Sequence, residues 1–143
     1  MSSVVFLHIV AALIWFGCVL TEMVFERVGD GSETIRQFIS EAHWRIDLYV
    51  EIPAFVVVLF SGGHLAGLLS WTPAVVVMIV AGLIAVGVNV YCVVLVRRRL
   101  AAAQANDSSL WFEIDHSQHR WGAVVLVAQL VALAAAATMF GAG

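Results

Sequence analysis

The chain has 143 residues, 62% of them hydrophobic and 12% charged, with mean hydropathy +0.99; soluble domains carry roughly 25% charged residues, so the composition excludes one. A net charge of −3 and the lack of a basic tract interleaved with aromatics exclude nucleic acid as a partner. Cys18 and Cys92 lie in apolar runs without a CxxC partner, which reads as small buried hydrophobes and no disulfide framework.

A membrane crossing needs about 20 apolar residues. Runs at 4–20, 52–69, 74–96 and 121–140 come near that length, and they predict an all-α, integral membrane four-helix bundle. The expected spans are about 4–26, 47–69, 73–97 and 119–140, in a single domain over 1–143. The first run lacks a basic stretch ahead of it and continues into Glu22 and Glu26, so it is expected to stay as a helix rather than be cleaved. Ser32 followed by Glu33 signals a helix start, and Ile35, Phe38, Ile39, Ala42 and Ile46 recur at helical spacing behind it. Pro53 then falls inside helix two, where a missing donor and a ring clash bend it. A tight turn at 70–73 leads to helix three, which Ala101 to Ala103 prolong. Asp107, Ser108 and Ser109 give helix four an early start. Helices two and four therefore extend beyond the bilayer on one side.

All seven basic residues are arginines in or beside the two longer connections. The positive-inside rule puts those connections in the cytoplasm and both termini outside, in a multi-pass protein of the inner (cytoplasmic) membrane.

Ionisable groups at membrane depth usually face an interior partner. At about 1.5 Å per residue, His8 and His64 lie within roughly 10 Å of the outer surface. Glu22, Glu26, Asp47, Glu51, His116 and His119 lie roughly 28–37 Å down by the same count. Facing follows a seven-residue stripe: His8, Ala12, Trp15, Val19, Glu22 and Glu26 on helix one, then His43, Asp47, Val50, Ala54, Val57, Ser61 and His64 on helix two, with Glu51 one step aside. On helix four Glu113, His116 and Arg120 share one face, and Asp115, His119, Gly122 and Gln129 the adjacent one. Spacings of three and four place side chains together on a helix face, and Glu113-Ile-Asp115-His116 has the Glu-x-x-His form of di-iron bundles. Glu22, Glu26, His43, Asp47, Glu51, His116 and His119 are thus candidate metal ligands, a nitrogen and oxygen set suited to iron, zinc, manganese or copper(II). The alternative is a charged membrane boundary, with carboxylates pairing nearby arginines and complementing the helix-four dipole.

His8 and His64 are candidate haem ligands, with Gly62 and Gly63 leaving room for a macrocycle; the alternative is that His8 snorkels and His64 bonds a neighbour. Trp15, Trp44, Trp71, Trp111 and Trp121 read as an interfacial belt. Asn89, Tyr91 and Cys92 read as a polar patch that bonds Gln129 or Ser61.

The run His8-Ile-Val-Ala-Ala-Leu-Ile-Trp15-Phe16-Gly17 resembles the His-x6-Trp-phi-Gly opening of the small four-helix membrane proteins related to CopD and to HemJ-type protoporphyrinogen oxidases. Arg45 ahead of Pro53 on helix two fits that group as well. The resemblance implies a haem b or metal-handling bundle, with His8 as a haem ligand.

Three functions follow as expectations. The first is a membrane metalloprotein with a cytoplasmic-side site for one or two transition-metal ions, serving as an oxidoreductase on a lipid-soluble substrate such as a quinone or porphyrin. The second is a haem b electron carrier or porphyrin-oxidising enzyme using His8 and His64. The third is a small metal or cation transporter with Glu22 as its site. Gly82, Ala85 and Gly87, or Ala132 to Ala136, leave faces on which a homo-oligomer can pack.

Overall fold

The computed structural model describes residues 2–28 and 31–141, apart from the side chains of Glu26, Val28 and Phe140 and the surroundings of Gly141. It is all-helical: α1 (Ser3–Val28), α2 (Glu33–Ile46), a π-helical turn (Asp47–Glu51), α3 (Ile52–Ala66), α4 (Pro73–Gln104) and α5 (Ser108–Gly141). Since α2, the π-turn and α3 run on as one rod, four helices are long and apolar enough to cross a membrane, as the apolar runs predict. The chain is a multi-pass membrane protein.

Polar side chains set the helix starts. Ser2 and Thr72 hydroxyls accept from Val5 and Val75 N–H, and Pro73, which lacks an amide proton, enters α4 where none is needed. Asp107 accepts from Leu110 N–H and from the Ser109 hydroxyl to open α5. The short link before it turns through Asn106 at φ 56°, a left-handed conformation that asparagine tolerates.

The π-turn departs from the expected bend in kind. Pro53 offers no N–H to the carbonyl four residues back, and its ring crowds that carbonyl. The helix widens just ahead of it, and Ile52 N–H donates to Asp47 O, five residues back. Within this wider turn the inward face moves by one position, while Ala54 and Ser61 beyond it stay buried as the stripe predicts. Val50, expected inside, is 41% exposed, and Glu51, expected one step aside, is buried beside Asp47.

Two cores hold the helices. One packs Trp15, Val19, Ala54, Phe55, Ala85, Val125 and Ala128 between the spans. The other gathers Leu95, Ala102, Trp111 and Ile114 at the arginine-rich end, where α2 lies on α4. Trp111 N–H donates to Ser40 Oγ at 3.0 Å within it. Trp15 and Trp111 are both buried, so they are core residues and not members of an interfacial belt.

Candidate metal centre

His43, in the last turn of α2, is buried. Asp47 follows one turn later in the π-turn, and α1 brings Glu22 across from it. His43 Nε2 is 3.1 Å from Glu22 Oε2 and 3.6 Å from Asp47 Oδ1, and one ligand atom from each of the three lies within 4.8 Å of the others. With ligand bonds of about 2.0–2.2 Å, the first two separations subtend roughly 90–120° at a shared ion. All three residues are buried.

Arg99 reaches this group from α4 with 0% exposure. Its Nη1 donates to Asp115, its Nη2 donates to His43 Nδ1 at 2.7 Å, and its guanidinium lies 5.6 Å from the Trp111 ring centre. A guanidinium only donates, so His43 Nδ1 accepts, and the proton of the neutral ring sits on Nε2, facing Glu22. For an ion to take Nε2, that proton must move to Nδ1 and find an acceptor there. Gln118 is placed to provide one: its amide nitrogen is 3.3 Å from Nδ1, and turning the amide over presents its carbonyl instead.

Acceptors outnumber donors here. Both Asp47 carboxylate oxygens and Glu51 Oε1 are buried without a close hydrogen-bond donor, against two buried donors without an acceptor, Trp15 Nε1 and Asn89 Nδ2, which with Asp47 are polar neighbours of Glu51. An unsatisfied buried polar group costs about 1–3 kcal/mol, and more when charged. Three carboxylates, from Glu22, Asp47 and Glu51, thus gather on one side of His43, whose Nδ1 side is taken by the Arg99 guanidinium that also serves Asp115. Such a set is stable only with added positive charge, as protons or as an ion.

The cavity between these groups holds about 30 Å³ of water-accessible space and has walls from α1, α2, the π-turn, α4 and α5. A water needs roughly 10–15 Å³. An ion and a water fit; a porphyrin or a quinone does not.

The remaining expected ligands fall elsewhere. The Glu26 side chain lies outside the described residues. His116 is exposed, because it sits on the outward face of α5 with Glu113 and Arg120. His119, with 39% of its side chain exposed, has Nδ1 3.3 Å from Asp115 Oδ2, and Asp115 in turn accepts from Arg99. At the opposite end, His8 Nδ1 is 2.9 Å from Ser61 Oγ, and Ser61 in turn donates to Val57 O. The space left by Gly62 is taken by the His8 ring, since a Cβ there would stand 3.1 Å from His8 Cε1. His64 is exposed.

Arg99 and Gln118 escaped the sequence reading, and Asn89 passed as a bland polar patch. A signal for Arg99 existed: Leu95, Val96, Arg99 and Ala102 continue one buried stripe, and of three consecutive arginines only one can face inward, because helix neighbours point about 100° apart.

Comparison of the chain with known protein families, with curated proteins and with solved structures finds no match. The centre is therefore interpreted from its own chemistry.

Proposed function

We propose that the chain is a membrane-embedded metal-binding protein that holds a divalent transition-metal ion among Glu22, His43 and Asp47. The observation that carries this reading is the convergence of three buried ligand atoms with carboxylate oxygens that have no donor. The ion supplies the missing positive charge, Glu51 stands by as a further carboxylate, and the Gln118 carbonyl accepts the imidazole proton at Nδ1 once Arg99 gives up its bond there. A coordination position facing the cavity water is open to redox chemistry. Any organic substrate meets the centre from outside the cavity, given its size. With the arginine-rich connections in the cytoplasm, the centre sits toward the cytoplasmic face of the inner membrane.

Passage of a cation or proton is the second reading. The buried carboxylates of Glu22, Asp47 and Glu51 around His43 favour it, because ionisable groups at membrane depth are the usual binding points for a passing cation or proton. The haem reading rests on the resemblance of helix one and on shared depth alone, and the side-chain geometry of His8 and His64 lends it no support.

Elemental analysis of the full chain, purified in detergent after growth with supplemented metals, tests the proposal. About one equivalent of a transition metal per chain is expected. Glu22→Ala, His43→Ala and Asp47→Ala should each lower it about tenfold or more, while Glu33→Ala and Glu41→Ala leave it unchanged. A metal-free parent, or equal content in all five variants, rejects it. Flux of the bound metal into proteoliposomes would favour the transporter reading, and a Soret band lost in His8→Ala the haem reading.

A further inference from the structure

Two carboxylates, Glu22 and Asp47, stand in the ligand group with His43, and a third adjoins them. Glu51 is 2% exposed, lines the same cavity, and its side chain meets that of Asp47. Asp47 also meets Glu22, so the three carboxylates form one run with Asp47 in its middle. All three lie within electrostatic reach of a single group, the Cys18 thiol one turn before Glu22 on α1. The charges around the cavity then count simply. Arg99 from α4 and Asp115 from α5 cancel, and His43 ligates as a neutral imidazole. The three carboxylates remain. A divalent ion leaves one negative charge uncompensated, and a trivalent ion leaves none. In a buried, low-dielectric site an uncompensated charge costs far more than in water.

Resting on the metal-binding reading above, we propose that Glu51 is the charge that sets the valence of the bound ion, so that the centre prefers a trivalent to a divalent state and its resident metal is redox-active iron or manganese. The ligands suit both metals, since carboxylate oxygens and one imidazole accept either. Zinc has no redox chemistry to offer. Glu51 acts by charge and not by ligation, because it stands outside the group of mutually close ligand atoms. The π-turn ahead of Pro53 is what brings it in: this turn carries both Asp47 and Glu51, and both are buried in it. Oxidation takes one electron from the ion to a one-electron acceptor and breaks no bond to the protein. Ferricyanide serves as that acceptor in the test.

Fe(II) is loaded without oxygen into the detergent-purified full chain, and its midpoint potential is read by titration with ferricyanide and dithionite, with Fe(III) followed by electron paramagnetic resonance. The parent should lie below the aqueous iron couple, by about 59 mV for each tenfold by which the centre prefers Fe(III). Glu51→Gln keeps the shape and removes the charge. In the iron it retains, that preference should fall at least tenfold, which raises the potential by about 59 mV or more. Glu51→Asp restores the charge and should stay with the parent, as should Glu33→Gln at the exposed start of α2. A parent at or above the aqueous couple overturns the proposal, whether or not the variants fold. So does a Glu51→Gln potential equal to the parent's, or a Glu51→Asp potential raised as far as that of Glu51→Gln. A folded Glu51→Gln that loses its iron makes Glu51 a ligand and overturns it too. A parent that takes up zinc but neither iron nor manganese rejects this inference alone, and a parent that takes up no metal rejects the metal-binding reading itself.

Discussion

The two polar layers of this bundle are built on different terms. At the arginine-rich end His43 meets Glu22, Asp47 and Arg99, with Glu51 beyond, and buried carboxylate oxygens remain without donors. At the other end His8 meets the Ser61 hydroxyl and the backbone of Val58, and Ser61 passes its own proton to Val57 O. The second layer is locally satisfied; the first is not. Shared depth is thus a poor sign of a site, and a surplus of buried acceptors drawn from several helices is a better one, because only that surplus leaves an interaction for a ligand to complete.

The contrast breaks most readily at Arg99. Replacing it with methionine removes a fully buried guanidinium that serves both Asp115 and His43, and truncating one partner of a buried ion pair costs about 3–5 kcal/mol. Thermal unfolding in detergent should show the loss in metal-free protein; an unchanged melting temperature would mean that the charges at this end are solvated.

Metal removal gives the next effect. An ion bound only by the folded bundle at about a hundred times its dissociation constant stabilises it by about 2.7 kcal/mol. A chelator should therefore lower the melting temperature of the parent and of His8→Ala alike, and leave Asp47→Ala where it is. Chelator sensitivity in Asp47→Ala would place the ion elsewhere.

The outer layer should respond modestly. His8→Ala and Ser61→Ala each remove neutral hydrogen bonds, worth about 0.5–1.5 kcal/mol apiece, on top of lost packing for His8, with metal content unchanged. Gly62→Ala forces the His8 ring to shift from its 3.1 Å contact. A change in metal content in any of these would join the two layers that the structure keeps apart.

The smallest effect lies outside both layers. The Leu110 N–H, followed by the Ser109 hydroxyl, holds the exposed Asp107 carboxyl below the usual carboxylate range. A lowered folded-state pKa stabilises the fold above the ordinary aspartate range, and the gain disappears as pH falls through the lowered value. Asp107→Asn should melt slightly below the parent at neutral pH, with the gap closing below about pH 4. A gap independent of pH would show that the carboxylate charge contributes nothing to the cap.

Much of this arrangement is legible in the sequence. Apolar runs near 20 residues long dictate membrane helices, since backbone groups in hydrocarbon must bond within their own segment. Ser32 with Glu33, and Asp107 with its two serines, mark the early starts of α2 and α5, because capping is local chemistry. Helical spacing also brings His43, Asp47 and Glu22 to one interior level. Three things were decided only by tertiary structure. The π-turn before Pro53 turned Glu51 inward and Val50 outward, a register shift that a fixed seven-residue stripe does not contain. Arg99 left the exposed basic run because α2 and Trp111 cover its face of α4, and Gln118 reached His43 from a helix 75 positions further along the chain. His64 and His116 turned away although their depth matched, because depth follows from residue count along one helix, whereas facing depends on which neighbours each helix packs against.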